Sequence, residues 1–169
     1  MDDFLFPPPP PNPNDGRKPS GRSEPTHRVG FTGTQDGTTR DQMNCLYNFF
    51  EQLDKFEFHQ GCCIGADEQA TVAASHYADV TIYGYPSNIR LKTAPRCLRL
   101  SHVLAACKPP LERNRDIVGA VELLLACPKG MKEEQRSGTW ATIRYARKLA
   151  LPIVVFWPDG TVTEEKQRD

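Results

Sequence analysis

One stretch of this chain leaves few choices to the fold around it: His59-Gln60-Gly61-Cys62-Cys63-Ile64-Gly65-Ala66-Asp67-Glu68-Gln69-Ala70. It follows a short run carrying Phe56 and Phe58 and leads into an alanine-rich segment over residues 66–77. The pattern predicts a strand, a tight turn with two glycines, and a helix. Glycine has no Cβ, so the backbone there can bend sharply and be approached closely. The helix that opens at the turn points unpaired N–H groups back at it, which favours an anion such as phosphate.

The rest of the chain repeats that unit. Residues 28–32 predict a first strand, followed by the turn Gly33-Thr34-Gln35-Asp36-Gly37. Thr38, with Asp41 three residues on, predicts a helix start, and the helix runs to about Asp54. Met43, Leu46, Tyr47, Phe50 and Leu53 recur at three and four residues and make one apolar face. Residues 56–59 predict the second strand and 79–83 the third, which ends in Gly84-Tyr85-Pro86. Residues 91–108 are irregular and basic. A helix is predicted over 109–120 with proline in its first turn, a buried strand over 122–127, and a helix capped by Ser137 reaching Ala150. Residues 152–157 predict the last strand, and a charged tail is expected over 159–169.

Alternating strands and helices imply right-handed crossovers and a three-layer α/β/α architecture with a mainly parallel central sheet. Ligands of such sheets lie at the carboxyl ends of the strands. The loops expected there are 33–37, 61–67, 83–88 and 128–139, and they hold the unusual residues. Composition narrows the partners. Lys plus Arg and Asp plus Glu are 21 each, so no overall field draws nucleic acid or a membrane surface. No apolar run approaches the roughly 20 residues of a membrane span. Residues 1–27 hold five prolines in a row, Pro7 to Pro11, and are expected to form a disordered tail. Such a tail suits a proline-recognising partner, although an inert leader is the commoner meaning. An acidic start followed at once by prolines is no secretion signal. Six cysteines without CxxC or Cys/His zinc spacing read as reduced thiols of a cytoplasmic protein, with no metal expected.

Several residues offer chemistry. Asp67 suits the first turn of its helix as a complement to the helix dipole, and it equally suits ribose hydroxyls. Arg113 and Asn114 offer a phosphate clamp and a polar contact, or a solvated helix face. Ser137, Gly138 and Thr139 open a helix with two hydroxyls and free N–H groups. Capping accounts for Ser137 alone. Cys62 and Cys63 lie by a helix N-terminus, which lowers a thiol pKa, but small packing residues fit them better than nucleophiles.

Four pieces in this order resemble the SLOG superfamily, a Rossmann-like group that includes cytokinin-activating LOG enzymes, DprA/Smf DNA-processing proteins and nucleotide-sensing domains of bacterial defence systems. They are Gly-Phe-Thr-Gly-Thr-Gln after strand one, Gly-Cys-Cys-Ile-Gly-Ala-Asp-Glu-Gln-Ala after strand two, Arg113-Asn114, and Ser-Gly-Thr-Trp at the last helix. The resemblance covers residues 28–158. It implies a nucleotide site lined by Gly33, Thr34, Gln35, Gly61, Gly65, Ala66, Asp67, Arg113, Asn114, Ser137, Gly138, Thr139 and Trp140. Tyr85 and Pro86 close the third strand's loop, and Tyr85 or Trp140 would hold the base. LOG enzymes carry a catalytic glutamate after their Gly-Thr; matching Gly138-Thr139 onto it places Thr142 there. Binding without turnover is therefore expected, with no cofactor. Asp67, Glu133 and Glu134 are the remaining acids for the alternative, an N-glycosidase or deoxyribosyltransferase. A single-strand DNA module, the third reading, would use Arg90, Lys92, Arg96, Arg99, Lys108, Arg113 and Arg115 and is opposed by the neutral balance. The resemblance also implies a homodimer or homotetramer.

Overall fold

The computed structural model describes residues 26–166. The proline-rich leader expected over 1–27 thus lies, but for its last two residues, outside the described part. Seven strands form one sheet in the order β4-β3-β2-β1-β5-β6-β7. They are β1 (His27–Gly33), β2 (Phe56–Gln60), β3 (Val80–Gly84), β4 (Val103–Leu104), β5 (Leu123–Cys127), β6 (Ile153–Phe156) and β7 (Val162–Glu165). All neighbours pair parallel except β6 and β7. Among the described residues five α-helices link the strands up to β6: α1 (Arg40–Phe50), α2 (Ala66–Ala74), α3 (Pro95–Leu100), α4 (Pro110–Ala120) and α5 (Gly138–Lys148). This is the α/β, Rossmann-like arrangement that the alternation of elements requires.

Chain order decides where a ligand can enter. From β1 the chain moves outward through β2, β3 and β4, then returns to lay β5 on the other side of β1. Crossovers leave β1 and β5 in opposite directions, which opens a crevice at the carboxyl ends of that central pair. β1 and β5 are in register from Val29 opposite Leu123 to Gly33 opposite Cys127.

Two cores hold the sheet. On one face α1 and α2 bury Leu46, Phe49, Phe50 and the alanines Ala66, Ala70, Ala73 and Ala74 against Phe31, Phe56, Phe58 and Leu125. Alanines at i, i+4, i+7 and i+8 make a smooth stripe, so α2 lies close to the strands. On the other face α4 and α5 bring Val118, Trp140, Ile143 and Ala146 onto Leu124, Ala126, Ile153 and Val155. β5 alternates between these cores, which explains its unbroken apolar sequence.

Three expectations from the sequence change. The cap of α1 is Thr39, in a reciprocal capping box with Gln42, and not Thr38 with Asp41. A glutamine at the third helical position can return a hydrogen bond to the cap backbone. The basic stretch 91–108 is organised, with a 3-10 turn at Arg90–Lys92, then α3 and β4. The segment after Asp159, expected as a charged tail, includes β7. Its Val162 and Thr163 pair with Phe156 and Val155, and its Glu165 holds Arg147 at 2.7 Å. An edge strand facing water on both sides keeps a polar sequence, so it looks like a tail.

Candidate functional site

The turn that follows β2 is shaped by the chain itself before any ligand is considered. Gly65 has φ +88°, and a Cβ there would sit 2.3 Å from the Gln35 carbonyl oxygen. Only glycine permits both that backbone and that approach. The Ala66 N–H donates to the Thr34 carbonyl at 3.0 Å, so the β1 and β2 turns are fixed to each other. A third turn joins them from β5, where the Thr34 N–H donates to Cys127 O at 3.2 Å. Gln42, 1% exposed, donates from Nε2 to Pro128 O (2.9 Å) and Phe156 O (2.8 Å).

These turns enclose a cleft of about 320 Å³ at the carboxyl ends of β1, β2 and β5. It receives Gly33, Thr34 and Gln35 from the first turn, and Gly61 and Asp67 from the second. Arg113 and Asn114 come from α4, and Ser137, Gly138 and Thr139 from the start of α5. Ten of the residues implied by the resemblance therefore meet in one place. Sequence reasoning missed the cleft's lining by Asp36, Cys63, Leu111, Ile117 and Lys129. Asp36 was visible as a turn residue and Lys129 as the first residue of a polar loop after a buried strand, and neither pattern names a ligand.

The remaining implied residues sit elsewhere. Trp140 is 2% exposed, packed against Trp157 with ring centres 5.8 Å apart and covered by the Arg147 guanidinium at 5.7 Å. It belongs to the core under α5 and offers no face to a base. Tyr85 does not line the cleft; its hydroxyl is hydrogen-bonded to His59 Nδ1 at 2.8 Å. Pro86 is buried beside it. Both follow β3, one strand too far from the crevice. Gly65 and Ala66 act from behind, as turn and packing residues. Of the candidate acids, Glu134 lines the cleft, while Glu133 turns away to Arg144 and Arg147, each at 3.1 Å. Thr142, where the resemblance expects a catalytic glutamate, is 3% exposed and donates its hydroxyl to Gly138 O at 2.9 Å.

Arg113 is a clip more than a clamp. Buried to 5% exposure, it donates to the carbonyls of Gly61 and of Tyr85 (3.0 Å), to Asn114 Oδ1 (2.7 Å) and towards Cys63 Sγ (3.5 Å). Gly61 lies between this guanidinium and Asp67, since a Cβ there would meet Arg113 Nη1 at 2.6 Å and Asp67 Oδ2 at 3.0 Å. The Asp67 carboxylate accepts from the Cys63 N–H at 3.2 Å. Burial pushes its pKa up to about 6, against the opposing pull of Arg113 and two backbone N–H groups. At neutral pH it is an acceptor for hydroxyl or amine donors, set where a second anion would be repelled. Burial, with the Asp67 charge, also pushes the Cys63 thiol up to about 11, so it is no thiolate nucleophile.

The start of α5 has the opposite character. Ser137 caps the helix by accepting from the Trp140 N–H at 3.3 Å. Thr139, 6% exposed, lines the cleft with a hydroxyl that has no partner among the described residues. Open space surrounds Gly138, with nothing within 4 Å of where a Cβ would stand. The cleft thus pairs a donor-rich helix start with a buried acceptor. Among the described residues, no three His, Cys, Asp or Glu side chains are placed to hold a metal ion, and no helix is long and apolar enough to cross a membrane.

A central β1/β5 pair with its cleft at the carboxyl edge defines a Rossmann-like α/β protein. No protein-family profile matches the chain, and no curated protein is similar to it in sequence. Solved structures are similar in fold. A molybdenum cofactor binding protein from the phototrophic bacterium Rippkaea orientalis superposes with TM-score 0.61 at 17% identity, over 80% of this chain and 78% of that one. DNA processing protein A from Streptococcus pneumoniae gives TM-score 0.59 at 15% identity, over 77% of this chain and 50% of that one. The same protein from Helicobacter pylori, described for its single-stranded DNA binding mode, gives TM-score 0.55 at 16% identity, over 76% of this chain and 64% of its own. At identities this low the likeness shows the fold alone, a Rossmann-like α/β sheet shared with these proteins.

Proposed function

We propose that the protein binds a nucleotide or a nucleotide-derived signal, such as an ADP-ribose-like or cyclic species, and holds it without turnover as a sensor or sequestering protein. The observation that carries this reading is the polarity of the cleft. Free N–H groups and the unpartnered Thr139 hydroxyl at the α5 start suit a phosphate. The buried Asp67 carboxylate suits a ribose diol, a neutral group with two donors. A nucleotide carries both groups on one molecule.

The test is calorimetric titration of the full chain with ADP-ribose, AMP and a cyclic dinucleotide, each recovered afterwards and examined by chromatography. Gly138→Asp adds a Cβ in open space and puts a carboxylate at the helix start. It is expected to weaken phosphate ligands about tenfold or more while leaving the fold intact. Binding unchanged in Gly138→Asp would remove the phosphate from that place. The second reading, an N-glycosidase, is favoured by one observation, a cleft acid whose pKa lies near 6. Recovery of free base and sugar phosphate, lost in Asp67→Asn, would establish it over simple binding. The DNA reading retains the exposed cations Arg90, Lys92, Arg96 and Arg99 around α3. It loses Arg113 to the interior, and Lys108 is paired with Asp116 at 2.7 Å. Steeply salt-dependent binding of single-stranded DNA would favour it.

A further inference from the structure

Two charged side chains at the mouth of the cleft have no part in the reading above. Asp36 stands on the turn after β1 and Lys129 on the turn after β5, and Lys129 Nζ lies 3.1 Å from Asp36 Oδ2. Both side chains are about two-thirds exposed, at 65% and 67%, and both line the same cleft as Ser137 and Thr139. An ion pair this open to water holds its members weakly.

The backbones beneath them are held firmly. The Asp36 N–H donates to Thr34 Oγ1 at 3.2 Å, and the Thr38 N–H to Gln69 Oε1 at 2.7 Å. Pro128, next to Lys129, has its carbonyl held by Gln42. Freedom is therefore confined to the side chains, above all to the four-carbon stem of Lys129.

Among the described residues, Lys129 has no rival as an available cation in the cleft. Among the described residues, the only other one lining the cleft is Arg113, whose guanidinium is committed to Gly61 O, Tyr85 O, Asn114 Oδ1 and Cys63 Sγ. Turning Arg113 onto a ligand would strand buried carbonyls, at a cost comparable to what the ligand returns. Turning Lys129 strands only Asp36, which water can solvate.

We infer that Lys129 is the cleft's anion-binding side chain and that Asp36 competes for it, so the pair sets how strongly an anionic ligand is held. The inference rests on the nucleotide-site reading. A phosphate bound at the α5 start draws the ammonium away from Asp36, and the released carboxylate then repels the same phosphate. Selectivity follows from this exchange. A neutral nucleoside cannot recruit Lys129, whereas a phosphorylated one must outcompete an acid already in place.

The opposite signs of two substitutions make the idea testable. ADP-ribose is titrated into the wild type, Lys129→Gln, Lys129→Arg, Asp36→Asn and Gly138→Asp, at low and at physiological ionic strength, with adenosine as the uncharged control. Lys129→Gln should weaken ADP-ribose about tenfold and Lys129→Arg should restore it. Asp36→Asn should strengthen it about threefold, the effect shrinking with salt. Neither exposed position should alter thermal unfolding, and neither should change adenosine binding. If Gly138→Asp abolishes binding while the Lys129 and Asp36 variants bind like wild type, the competition is wrong and the nucleotide site stands. Weaker binding in Asp36→Asn would make Asp36 a ligand contact and overturn the competition too. A wild type that binds no ADP-ribose overturns both readings.

Discussion

Arg113 decides between two accounts of the cleft, and its replacement by methionine separates them. A phosphate clamp faces outward, and its loss costs affinity. A clip ties the turn after β2 to the turn after β3, and its loss costs stability. Arg113→Met keeps the length and apolar stem but leaves the Gly61 and Tyr85 carbonyls buried without their donors. Each orphaned carbonyl costs about 1–3 kcal/mol. Relief from burying a charge and the new apolar contact offset part of this, so a net loss of about 3 kcal/mol is expected. For a chain of this size that lowers the melting temperature by about 6–12 °C. Arg113→Lys should recover about a third of the loss, since one ammonium cannot span both carbonyls. Removing the guanidinium also takes away the charge that holds Asp67 down, so that carboxyl should titrate above its present value of about 6. Calorimetric melting and urea unfolding read the first effect, and the pH dependence of stability reads the second. Arg113→Met melting with the wild type while losing ligand affinity would refute the clip and reinstate the clamp.

Further expectations concern acid titration, the turn and the β5 exit. Burial holds Asp67 up, from 3.8 to about 6, so the folded chain binds that proton more tightly than the unfolded chain. The resulting stabilisation is whole below 3.8 and disappears as pH rises through about 6, for about 3 kcal/mol in all. His59, pushed down from 6.5 to about 4 by burial and by Arg28, acts in the opposite sense: its contribution is present above 6.5 and lost as pH falls through about 4. The two slopes oppose each other, so wild-type stability should vary little between them, whereas Asp67→Asn should gain stability as pH rises from about 4 to 6.5. A flat profile in Asp67→Asn, by urea unfolding across that range, would contradict the assignment. Gly65→Ala should cost more than about 3 kcal/mol, from left-handed backbone and the collision with Gln35 O, measured as loss of cooperative melting. Gln42→Leu should cost about 2–4 kcal/mol by stranding Pro128 O and Phe156 O, seen as a lower urea midpoint.

Local pattern was enough for the main alternation of strands and helices and hence for the fold class, although α3, β4 and β7 escaped it. Phe56 and Phe58 before a glycine turn, alanines after it, and the unbroken apolar run of β5 each report their own burial through periodicity. Ten cleft residues were also legible, because a turn at a strand's carboxyl end carries polar residues and glycines for reasons that sequence shows. What periodicity cannot report is the side on which a residue spends its side chain. Trp140 opens a helix whose first turn meets the cleft, yet its ring points into the core against Trp157. Arg113 reads as a free cation, yet three dimensions turn its donors onto the carbonyls of Gly61 and Tyr85, 52 and 28 residues away in sequence. Asp36 and Lys129 meet only because β1 and β5 are neighbours in the sheet, a pairing set by the crossover and by no local signal. Sequence alone determined the main strands, helices and polar turns, since those follow from contacts within a few residues, but not α3, β4 or the edge strand β7. Tertiary structure decided which polar groups are committed and which are free for a ligand, since hydrogen bonds are satisfied across the fold without regard to distance along the chain.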